Sequence, residues 1–328
     1  MSHVSPTPFA NLTPDLVLDA VAGCGIDVDG RLFALNSYEN RVYRVGTAQG
    51  APLVAKFYRA RRWSDEQIVE EHDFARELAA RDLAVAVPIA FDGATLLRHD
   101  EFRFALFPWL GGRGAELDSD ADFALLGRTL GRLHAVGAVR RFRVRPTLTP
   151  ERLGAAAREQ VLESGYVPPK LEDRYAEVSA ELLAAVERDW EAAAGVATIR
   201  LHGDCHLGNL LWGEQGPVFV DLDDCMTGPA IQDLWMLLPG GADARRAWEA
   251  LAAGYGEFAD FDYRELRLVE PLRALRMIHH TAWLAHRWDD PAFPRAFPWF
   301  GERRYWERHI LDLLEQRAAI DEPPLLAM

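Results

Sequence analysis

The sequence predicts an α+β protein in which a small antiparallel β-sheet lobe precedes a larger, mainly helical lobe. Residues 31–107 contain short runs rich in β-branched and aromatic residues, separated by Gly, Asp or polar breaks. After residue 115, apolar residues recur with the 3.6-residue period of helices. A glycine-rich stretch lies between these regions. We therefore expect an N-terminal sheet lobe over 1–107, a hinge over 108–114 and a C-terminal helical lobe over 115–328.

Five short runs predict the strands of the first lobe. In chain order they read RVYRV, PLVAKFY, LAVAVPIAF, TLLRH and FRFALFP. One helix interrupts them, because Ser64 can cap SDEQIVEEHDFARELAARD and the acidic Asp65 and Glu66 occupy its first turn. Ile68 and Leu78 belong to an apolar stripe along this helix. The first lobe is thus expected to be an antiparallel sheet with one packed helix.

Amphipathic helices dominate the second predicted lobe. The apolar face of the first helix consists of Phe123, Leu126, Leu130 and Leu133. The segment LEDRYAEVSAELLAAVERDWEAA predicts a second helix, and further helices are expected over 242–258, 263–287 and 302–317. Two segments, TIRLHGDCHLGNLLW and GPVFVDLDD, interrupt the helices as short strands that flank polar loops.

Charge and composition exclude several classes of protein. The 36 basic and 50 acidic residues give a net charge of −14 without a basic stripe, so generic nucleic-acid binding is not expected. The longest nearly continuous apolar stretch, 83–91, is far shorter than the ~18 residues of a membrane span. No basic segment precedes an apolar one near the N-terminus, which argues against a signal peptide. We therefore expect a cytoplasmic protein without membrane partners.

Two polar segments carry residues suited to phosphoryl transfer. Asp204 and Asn209 lie five apart in HGDCHLGN, and Asp221 ends the apolar run PVFV twelve residues later. Phosphoryl transfer needs a carboxylate that accepts the acceptor's proton and oxygen ligands that hold Mg²⁺ against the triphosphate of ATP. A competing interpretation takes His202, Asp204 and His206 as metal ligands, although no further His/Asp pair at zincin or metallohydrolase spacing accompanies them.

Longer segments resemble the bacterial stress response kinase A family, within the aminoglycoside phosphotransferase and choline kinase branch of the protein-kinase-like superfamily. These segments are LNSYENRVYRV, VAKFYRARRW, LHGDCHLGNLLW, FVDLDD, GPAIQDLWMLL, EPLRALRM and DPAFPRAFPWF. The resemblance covers nearly the whole chain from Asn36 onward. It implies a bilobal protein-kinase-like fold and an enzyme that transfers the γ-phosphoryl group of ATP to Ser/Thr hydroxyls of protein substrates.

The resemblance also implies roles for three site residues. Asp204 matches the catalytic-loop Asp that accepts the proton of the substrate hydroxyl. Asn209 matches the Asn ligand of Mg²⁺, and Asp221 matches the metal-binding Asp that opens the DFG-like segment.

The segment after the metal-binding Asp departs from the family pattern of kinases. Leu222 and Asp223 stand where Phe and Gly are usual, and it stays open whether Asp223 or Asp224 joins the metal ligands. Further along, Asp233 resembles the structural Asp that braces the catalytic loop, so we expect it to support the reaction without taking part.

Lys56 is one of only two lysines among the 36 basic residues, the other being Lys170 in the loop VPPK. In PLVAKFY, a point charge on a flexible stem can reach the α/β-phosphates of ATP; the alternative is a surface strand position. A phosphate-binding Lys usually needs a carboxylate partner. Glu71 falls in the apolar stripe with Ile68, whereas Glu70 lies one step off it. We therefore predict that Glu71 holds Lys56 and that Glu70 is solvated.

No GxGxxG loop precedes Lys56. The segment ALNSYENRVYRV instead offers polar residues between two strands. We expect the Ser37 hydroxyl and neighbouring backbone N–H groups to cradle the phosphates. The alternative is a plain polar hairpin turn.

A short segment separates Asp221 from Gly228, with six residues between them. The long phosphorylatable activation segment of eukaryotic protein kinases is therefore missing, and regulation by loop phosphorylation is not expected. On physical grounds this shortness favours a small-molecule acceptor, as in aminoglycoside, choline or homoserine kinases, whereas the narrower resemblance favours a protein. A non-catalytic nucleotide-binding regulator is a third possibility. We expect a monomer.

Three cysteines occur at unrelated spacings: Cys24, Cys205 and Cys225. This arrangement argues against a disulfide framework and a paired zinc site. Cys205 adjoins Asp204, and Cys225 follows the predicted metal-binding segment, so oxidation is a conceivable control on activity. Buried cysteines are, however, usually inert.

Overall fold

The computed structural model describes residues 8–214 and 216–324. The strands are β1 (Val28–Ala34), β2 (Arg41–Thr47), β3 (Leu53–Phe57), β4 (Leu97–His99), β5 (Phe102–Pro108), β6 (Arg113–Gly114), β7 (Ile199–Leu201), β8 (Leu210–Gly213), β9 (Gly216–Phe219) and β10 (Met226–Gly228). The helices are α1 (Pro14–Ala22), α2 (Asp65–Ala79), α3 (Asp120–Ala138), α4 (Ala156–Glu163), α5 (Glu172–Ala192), α6 (Asp243–Tyr255), α7 (Val269–Arg287), α8 (Ala292–Ala296) and α9 (Arg303–Asp321). Within these described residues, no helix combines the length and the apolar character that crossing a bilayer requires.

The chain forms two compact units. The first, the sheet unit, contains the described residues up to Glu116 together with Phe142–Arg145 and Leu207–Cys225. The second, the helical unit, contains Leu117–Arg141, Pro146–His206 and the described residues from Met226 onward. The division into lobes over 1–107 and 115–328 with a hinge over 108–114 stays a prediction, and residues 1–7, 215 and 325–328 of those lobes lie outside the described residues.

A five-stranded antiparallel sheet forms the centre of the sheet unit, in the order β1-β2-β3-β5-β4. Ala55 and Phe57 on β3 face a core shared with Val17 of α1 and with Phe104 and Leu106 of β5. On the other face, Ile68 of α2 packs with Tyr58 and Ala105. Burying apolar side chains on both faces stabilises the sheet and fixes the register of its central strand.

The structure corrects the predicted first lobe in two places. Helix α1 and strand β1 were not predicted, and the run LAVAVPIAF is not one of the strands. Residues 83–91 make isolated pairings instead, such as the bridge from Val85 to Phe219 and the hydrogen bond from the Ile89 N–H to the Leu106 carbonyl. Pro88 has no N–H to offer a ladder, which explains why this β-rich run does not continue as a strand.

A second, three-stranded antiparallel sheet lies within the sheet unit, in the order β6-β8-β9. β8 begins directly after Asn209, and β9 ends two residues before Asp221. β8 and β9 pair antiparallel with Leu210 opposite Phe219, so the residues just before β8 and just after β9 lie at the same end of the hairpin.

Helices build the helical unit around a large apolar core to which α4, α5, α7 and α9 contribute. Helices α3 and α6 approach closely at two glycines, Gly127 and Gly254. A Cβ atom at either position would lie 2.0 Å from a backbone oxygen of the other helix. The strand pair β7 and β10 is antiparallel.

Helix boundaries differ from the prediction at the helix expected over 263–287. It divides into a 3₁₀ helix, Tyr263–Leu268, and then α7. Pro271 lies in the first turn of α7, where backbone N–H groups have no partner within the helix, so the N–H that proline lacks is not needed. In one continuous α-helix over 263–287, residue 271 would have to donate an N–H to the Arg267 carbonyl, which proline cannot do. Helix α9 also extends beyond the predicted range, and α4 and α8 were not predicted.

Candidate active site

Strand β3 places Lys56 in the middle of the five-stranded sheet. Its neighbours across the ladder are Val42 on β2 and Ala105 on β5. Because side chains alternate along a strand, Ala55 and Phe57 face the core beneath α1 and Lys56 faces the opposite side. The Lys56 side chain is 7% exposed, so it does not occupy the surface strand position that was the alternative.

Carboxylates surround the ammonium group of Lys56. Its Nζ lies 2.9 Å from Asp221 Oδ1, 3.1 Å from Asp223 Oδ1 and 3.6 Å from Glu71 Oε1. Burial alone would lower the pKa of Lys56, but the charges of Asp221 and Glu71 raise that pKa above its ordinary value. Lys56 therefore stays charged, and the structure brings it together with the carboxylate that helix periodicity assigned to it.

Glu70 is not the solvated neighbour that the sequence predicts. Its carboxylate accepts three backbone N–H groups, from Arg143 at 2.7 Å, Val144 at 2.9 Å and Arg145 at 2.8 Å. Burial would raise the pKa of Glu70, but these three N–H groups lower it overall. Glu70 thus ties α2 to the segment Phe142–Arg145. Its partners lie more than seventy residues along the chain, beyond the reach of local sequence patterns.

The backbone at Asp221 is unusual. Its φ of 59° and ψ of 66° are in the left-handed region, which residues other than glycine rarely adopt and which is concentrated at functional sites. A 3₁₀ turn, Leu222–Asp224, follows at once. The Val220 N–H donates to the Asn209 carbonyl at 3.1 Å, so the segments that carry Asn209 and Asp221 run side by side.

Arg62 neutralises the two acidic residues whose role the sequence left open. Its guanidinium contacts the Asp223 carboxylate and lies 2.6 Å from Asp224 Oδ1. Asp223 is also an ion-pair partner of Lys56. The sequence analysis missed Arg62, although it lies in the segment VAKFYRARRW that carries part of the family resemblance.

The Arg145 side chain fixes the same turn by donating to two backbone carbonyls. It donates from Nε to the Cys225 carbonyl at 2.9 Å and from Nη2 to the Asp223 carbonyl at 2.5 Å. The Trp63 ring lies against this guanidinium and against that of Arg62, with centroid distances of 4.1 and 5.2 Å. No sequence signal singled out Arg145, because it lies far along the chain from both the turn and Trp63.

A cavity of about 400 Å³ opens beside Lys56 within the sheet unit. Its volume lies within the range of ~300–1,000 Å³ that is usual for small-molecule pockets. Apolar side chains, including Val54 and Phe107, form part of its lining. The predicted site residues that also line it are Ser37, Lys56, Glu71, Asn209 and Asp221.

The loop before β2 contributes Ser37 to this cavity. The Ser37 hydroxyl donates to the Asn40 carbonyl at 3.3 Å. Asn40 is buried, and its side-chain oxygen accepts the Arg59 N–H at 3.1 Å. These contacts hold the loop in a compact form beside the cavity.

Asn209 and Asp221 are suited to holding a divalent cation. Amide and carboxylate oxygens are ligands that Mg²⁺ and Ca²⁺ prefer, and the Asp221 side chain is 49% exposed. Across residues 8–214 and 216–324, no group of three or more His, Cys, Asp or Glu is arranged to hold a metal ion. Mg²⁺ sites usually combine one or two protein oxygens with phosphate groups and water.

Asp204 follows β7 in the helical unit. Arg276 of α7 donates from Nη1 to Oδ1 at 2.7 Å, and His206 Nε2 lies 3.4 Å from Oδ2. Burial would raise the pKa of Asp204, but the hydrogen bond from His206 and the charge of Arg276 hold that pKa well below its usual range. Asp204 is therefore ionised at physiological pH and can accept a hydrogen bond from an acceptor hydroxyl.

Asp233 braces the segment that leads to Asp204. Its carboxylate accepts the N–H groups of His202 at 2.7 Å and Gly203 at 2.8 Å, and His134 Nε2 lies 3.1 Å from Oδ2. Gly203 has a φ of 89°, a left-handed conformation that glycine adopts most easily. At this position the backbone directs the N–H groups of two successive residues, His202 and Gly203, to the one carboxylate of Asp233.

The alternative metal site of His202, Asp204 and His206 is not assembled among the described residues. His202 is fully buried next to Asp233. Cys205 and Cys225 are also buried and carry free thiols. Burial raises the pKa of both thiols, that of Cys225 to about 12, which argues against redox control through either.

Comparison with known proteins gives the site its context. Residues 32–269 match the phosphotransferase enzyme family. Stress response kinase A of Escherichia coli O157:H7 is 46% identical over 318 residues, which cover 97% of this chain and 96% of that protein. The serine/threonine protein kinase RdoA of Salmonella typhimurium LT2 is 45% identical over the same shares of both chains.

Solved structures show the same fold at lower identity. A microcompartment-associated aminopropanol kinase gives a TM-score of 0.69 at 21% identity, covering 94% of this chain and 97% of that chain. The amicoumacin kinase hAmiN, in complex with AMP-PNP, Ca²⁺ and amicoumacin, gives 0.67 at 18% identity, covering 90% and 92%. These likenesses confirm the predicted α+β, protein-kinase-like fold. The chain is an enzyme that belongs to the phosphotransferase enzyme family and, within it, to the stress response kinase A family.

Proposed function

We propose that this enzyme transfers the γ-phosphoryl group of ATP to Ser/Thr hydroxyls of protein substrates as part of a bacterial stress response. Two relatives at 45–46% identity are named stress response kinase A and serine/threonine protein kinase RdoA. The observation that carries the proposal is the buried Lys56, with Glu71 and Asp221 around its ammonium group, beside a ligand-sized cavity.

In this proposal Lys56 contacts the α/β-phosphates and Glu71 holds the Lys56 side chain in place. A compact, permanently charged ammonium group is suited to phosphate oxygens. ATP would take over from Asp221 as a partner of Lys56. Ser37, which lines the same cavity, and the backbone N–H groups of its loop contact the phosphates in this proposal.

Asn209 and Asp221 are the proposed ligands of Mg²⁺. A divalent cation bound there would neutralise charge on the β- and γ-phosphates. The exposed Asp221 carboxylate lies on the same cavity as Asn209, which supports this assignment. Asp223 and Asp224 are neutralised by Arg62, so we assign them a structural role.

Asp204 is the proposed proton acceptor. Its ionised carboxylate orients the acceptor hydroxyl for in-line attack on the γ-phosphorus. It takes the hydroxyl proton as the new P–O bond forms, while the bond from the γ-phosphorus to the β–γ bridging oxygen breaks and ADP leaves. No phosphoenzyme is required. Asp233 and Glu71 act by positioning other residues.

We further propose that the enzyme works as a cytoplasmic monomer. Its lobes would then span residues 1–107 and 115–328, with the hinge over 108–114.

A small-molecule hydroxyl kinase is the second candidate. The observation that favours it is the short segment between Asp221 and Gly228, which offers little platform for a peptide. Some solved structures with this fold are named for small acceptors, among them an aminopropanol kinase.

A labelling assay tests the proposal. The enzyme is incubated with γ-labelled ATP and Mg²⁺ and offered itself, generic protein substrates or a panel of small alcohols. We expect label on Ser/Thr of protein, and a loss of about 10²–10⁴-fold in the Asp204→Ala variant with nucleotide binding retained. Asp260→Ala, an exposed change in the same unit, should behave as wild type.

The other outcomes distinguish the candidates. Label that appears only in a small alcohol, and disappears in Asp204→Ala, would favour the second candidate. ATP binding without transfer to any acceptor would indicate a nucleotide-binding regulator and would overturn both kinase assignments.

A further inference from the structure

We propose that Arg276 makes this enzyme prefer acceptor hydroxyls with a negatively charged group beside them, such as Ser or Thr flanked by acidic residues. The peptide form of the acceptor rests on the proposed function. The charge preference itself rests on the surroundings of Asp204 in the helical unit.

Arg276 lies where an acceptor must approach. Its Nη1 is 2.7 Å from Asp204 Oδ1, and the two side chains are 46% and 27% exposed. Solvent therefore reaches both partners of the ion pair. A hydroxyl that bonds to Asp204 brings its neighbouring groups within reach of the guanidinium.

After Glu270 in its first turn, helix α7 carries no further acidic residue. Residues 271–287 contain three arginines, three histidines and no Asp or Glu, in a chain whose net charge is −14. Arg276, His279 and His280 are exposed, and their spacing of three to four residues places them on one side of the helix. Residues 271–287 therefore set no carboxylate of their own against Arg276.

His280 does not supply this positive charge. Partial burial of its ring and the nearby Arg276 lower the pKa of His280 below its ordinary value, so its imidazole is neutral at physiological pH. Its ring lies 5.5 Å from that of Trp283, one turn further along α7. The charge that α7 places against Asp204 therefore comes from Arg276.

Electrostatics then decides which acceptors are favoured. A bare carboxylate at Asp204 would repel an anionic acceptor and attract an amine. Arg276 compensates that charge, and one of its five N–H donors is sufficient for the contact with Asp204. The remaining donors suit a second carboxylate or a phosphate, to which guanidinium binds in a forked geometry. An amine-bearing acceptor meets a like charge.

Three peptides that differ only beside a single Ser provide the test. The flanking residues are Glu in the first, Ala in the second and Arg in the third, and labelled ATP reports transfer. We expect kcat/KM for the acidic peptide to exceed that of the neutral peptide by about tenfold or more, as a charge-assisted hydrogen bond gives. The basic peptide should be the poorest substrate.

Variants of Arg276 separate recognition from mere support of Asp204. In Arg276→Ala the ratio of kcat/KM between the acidic and the neutral peptide should fall about tenfold, to near one, whatever the loss of Arg276 does to turnover of both peptides. Arg276→Lys should recover part of the preference, and Arg276→Glu should reverse it. Thermal unfolding of each variant shows whether the fold is intact. Arg273→Ala is the matched control, because Arg273 is also 46% exposed on α7 but pairs with Glu270 at 3.0 Å.

Two results would overturn the inference: equal use of the acidic and neutral peptides by wild type, or an unchanged ratio of kcat/KM between them in Arg276→Ala. If peptides stay unlabelled and small alcohols are labelled, the proposed function fails and the charge preference is tested on glycerate against 1-amino-2-propanol. Preference for the amine would then refute it. Label on no acceptor refutes both.

Discussion

Lys56 shows how composition and burial together identify a single functional side chain. In a chain that uses Arg at almost every basic position, this Lys lies buried among three carboxylates within 3.6 Å of its Nζ. Arg carries a planar, larger guanidinium on a stem that cannot place one compact charge at the same point. The site therefore has a steric as well as an electrostatic requirement.

The Lys56→Arg variant tests this requirement. We expect ATP turnover to fall by at least about tenfold, because a fork of donors replaces a point charge in a site built for an ammonium group. Steady-state kinetics at saturating Mg²⁺ measures the loss. Lys170→Arg, at an exposed position, should leave turnover unchanged. Near-normal turnover in Lys56→Arg would contradict a phosphate-binding role.

Glu71, 3.6 Å from Lys56 Nζ, is the carboxylate that we propose holds Lys56 in place for the phosphates. In Glu71→Ala, one of the charges that hold the ammonium group is lost, and we expect the Kd for ATP to rise about tenfold. A nucleotide titration measures this change. Glu66→Ala on the same helix is the control, because Glu66 is exposed. Equal Kd values for the two variants would refute the assignment.

Helix α2 is held by more than its apolar face. Glu70 accepts three N–H groups from the segment Phe142–Arg145, and Gln67 donates from Nε2 to the Val144 carbonyl at 2.9 Å. Removing a partly buried acceptor leaves its donors unsatisfied. Glu70→Ala should therefore lower the free energy of unfolding by about 1–3 kcal/mol. Denaturant unfolding measures it; a loss no greater than that of Glu66→Ala would show that the anchor is weak.

The contact between α3 and α6 depends on glycine. A Cβ at Gly127 would lie 2.0 Å from the Leu251 carbonyl oxygen, so Gly127→Ala forces two backbones apart. We expect a loss of more than about 3 kcal/mol in the free energy of unfolding. At Gly256 a Cβ would meet its nearest backbone oxygen at 3.4 Å, and Gly256→Ala should be mild. Similar melting temperatures for both variants would contradict the close packing.

Prediction from sequence succeeded for elements whose signals are local. The Ser64 cap and the helical stripe through Glu71 predicted α2 and its buried face, and the structure adds that Gln67 completes a capping box with Ser64. Isolated β-rich segments were harder, because LAVAVPIAF has strand composition but Pro88 interrupts its backbone pairing. Strand β1 was missed because its residues VDGRLFA show no apolar alternation, in agreement with their largely exposed burial pattern.

The candidate site also contains residues that the sequence predicts and residues that it does not. Local sequence motifs contain four of the predicted residues: Asp204, Asn209, Asp221 and Lys56. Arg145 and the partners of Glu70 come from remote parts of the chain, and only folding brings them to the turn after Asp221 and to α2. Their assignment therefore required the structure.

The stability of the whole molecule should vary with pH through Glu265. This buried carboxyl accepts the Ile231 N–H at 2.8 Å, and burial raises its pKa from 4.5 to about 7. Between these pH values the folded chain holds a proton that the unfolded chain has released. The free energy of unfolding should therefore fall as pH rises through this window, by up to about 1.4 kcal/mol per pH unit.

Glu265→Gln isolates this contribution, because an amide does not titrate. Thermal or denaturant unfolding of both proteins across the window should give a flatter profile for the variant than for wild type. Parallel profiles would mean that Glu265 has no raised pKa. Comparing the two curves removes the contributions of all other titrating groups.

The arrangement of α2 has a consequence for how a cell governs this enzyme. With Glu71 beside Lys56 and Glu70 bonded to Phe142–Arg145, the parts that other kinases move during activation are already assembled in the chain alone. Only six residues separate Asp221 from Gly228. On the proposed function, we therefore expect activity in the cell to follow the number of enzyme copies, which transcription, translation and proteolysis set.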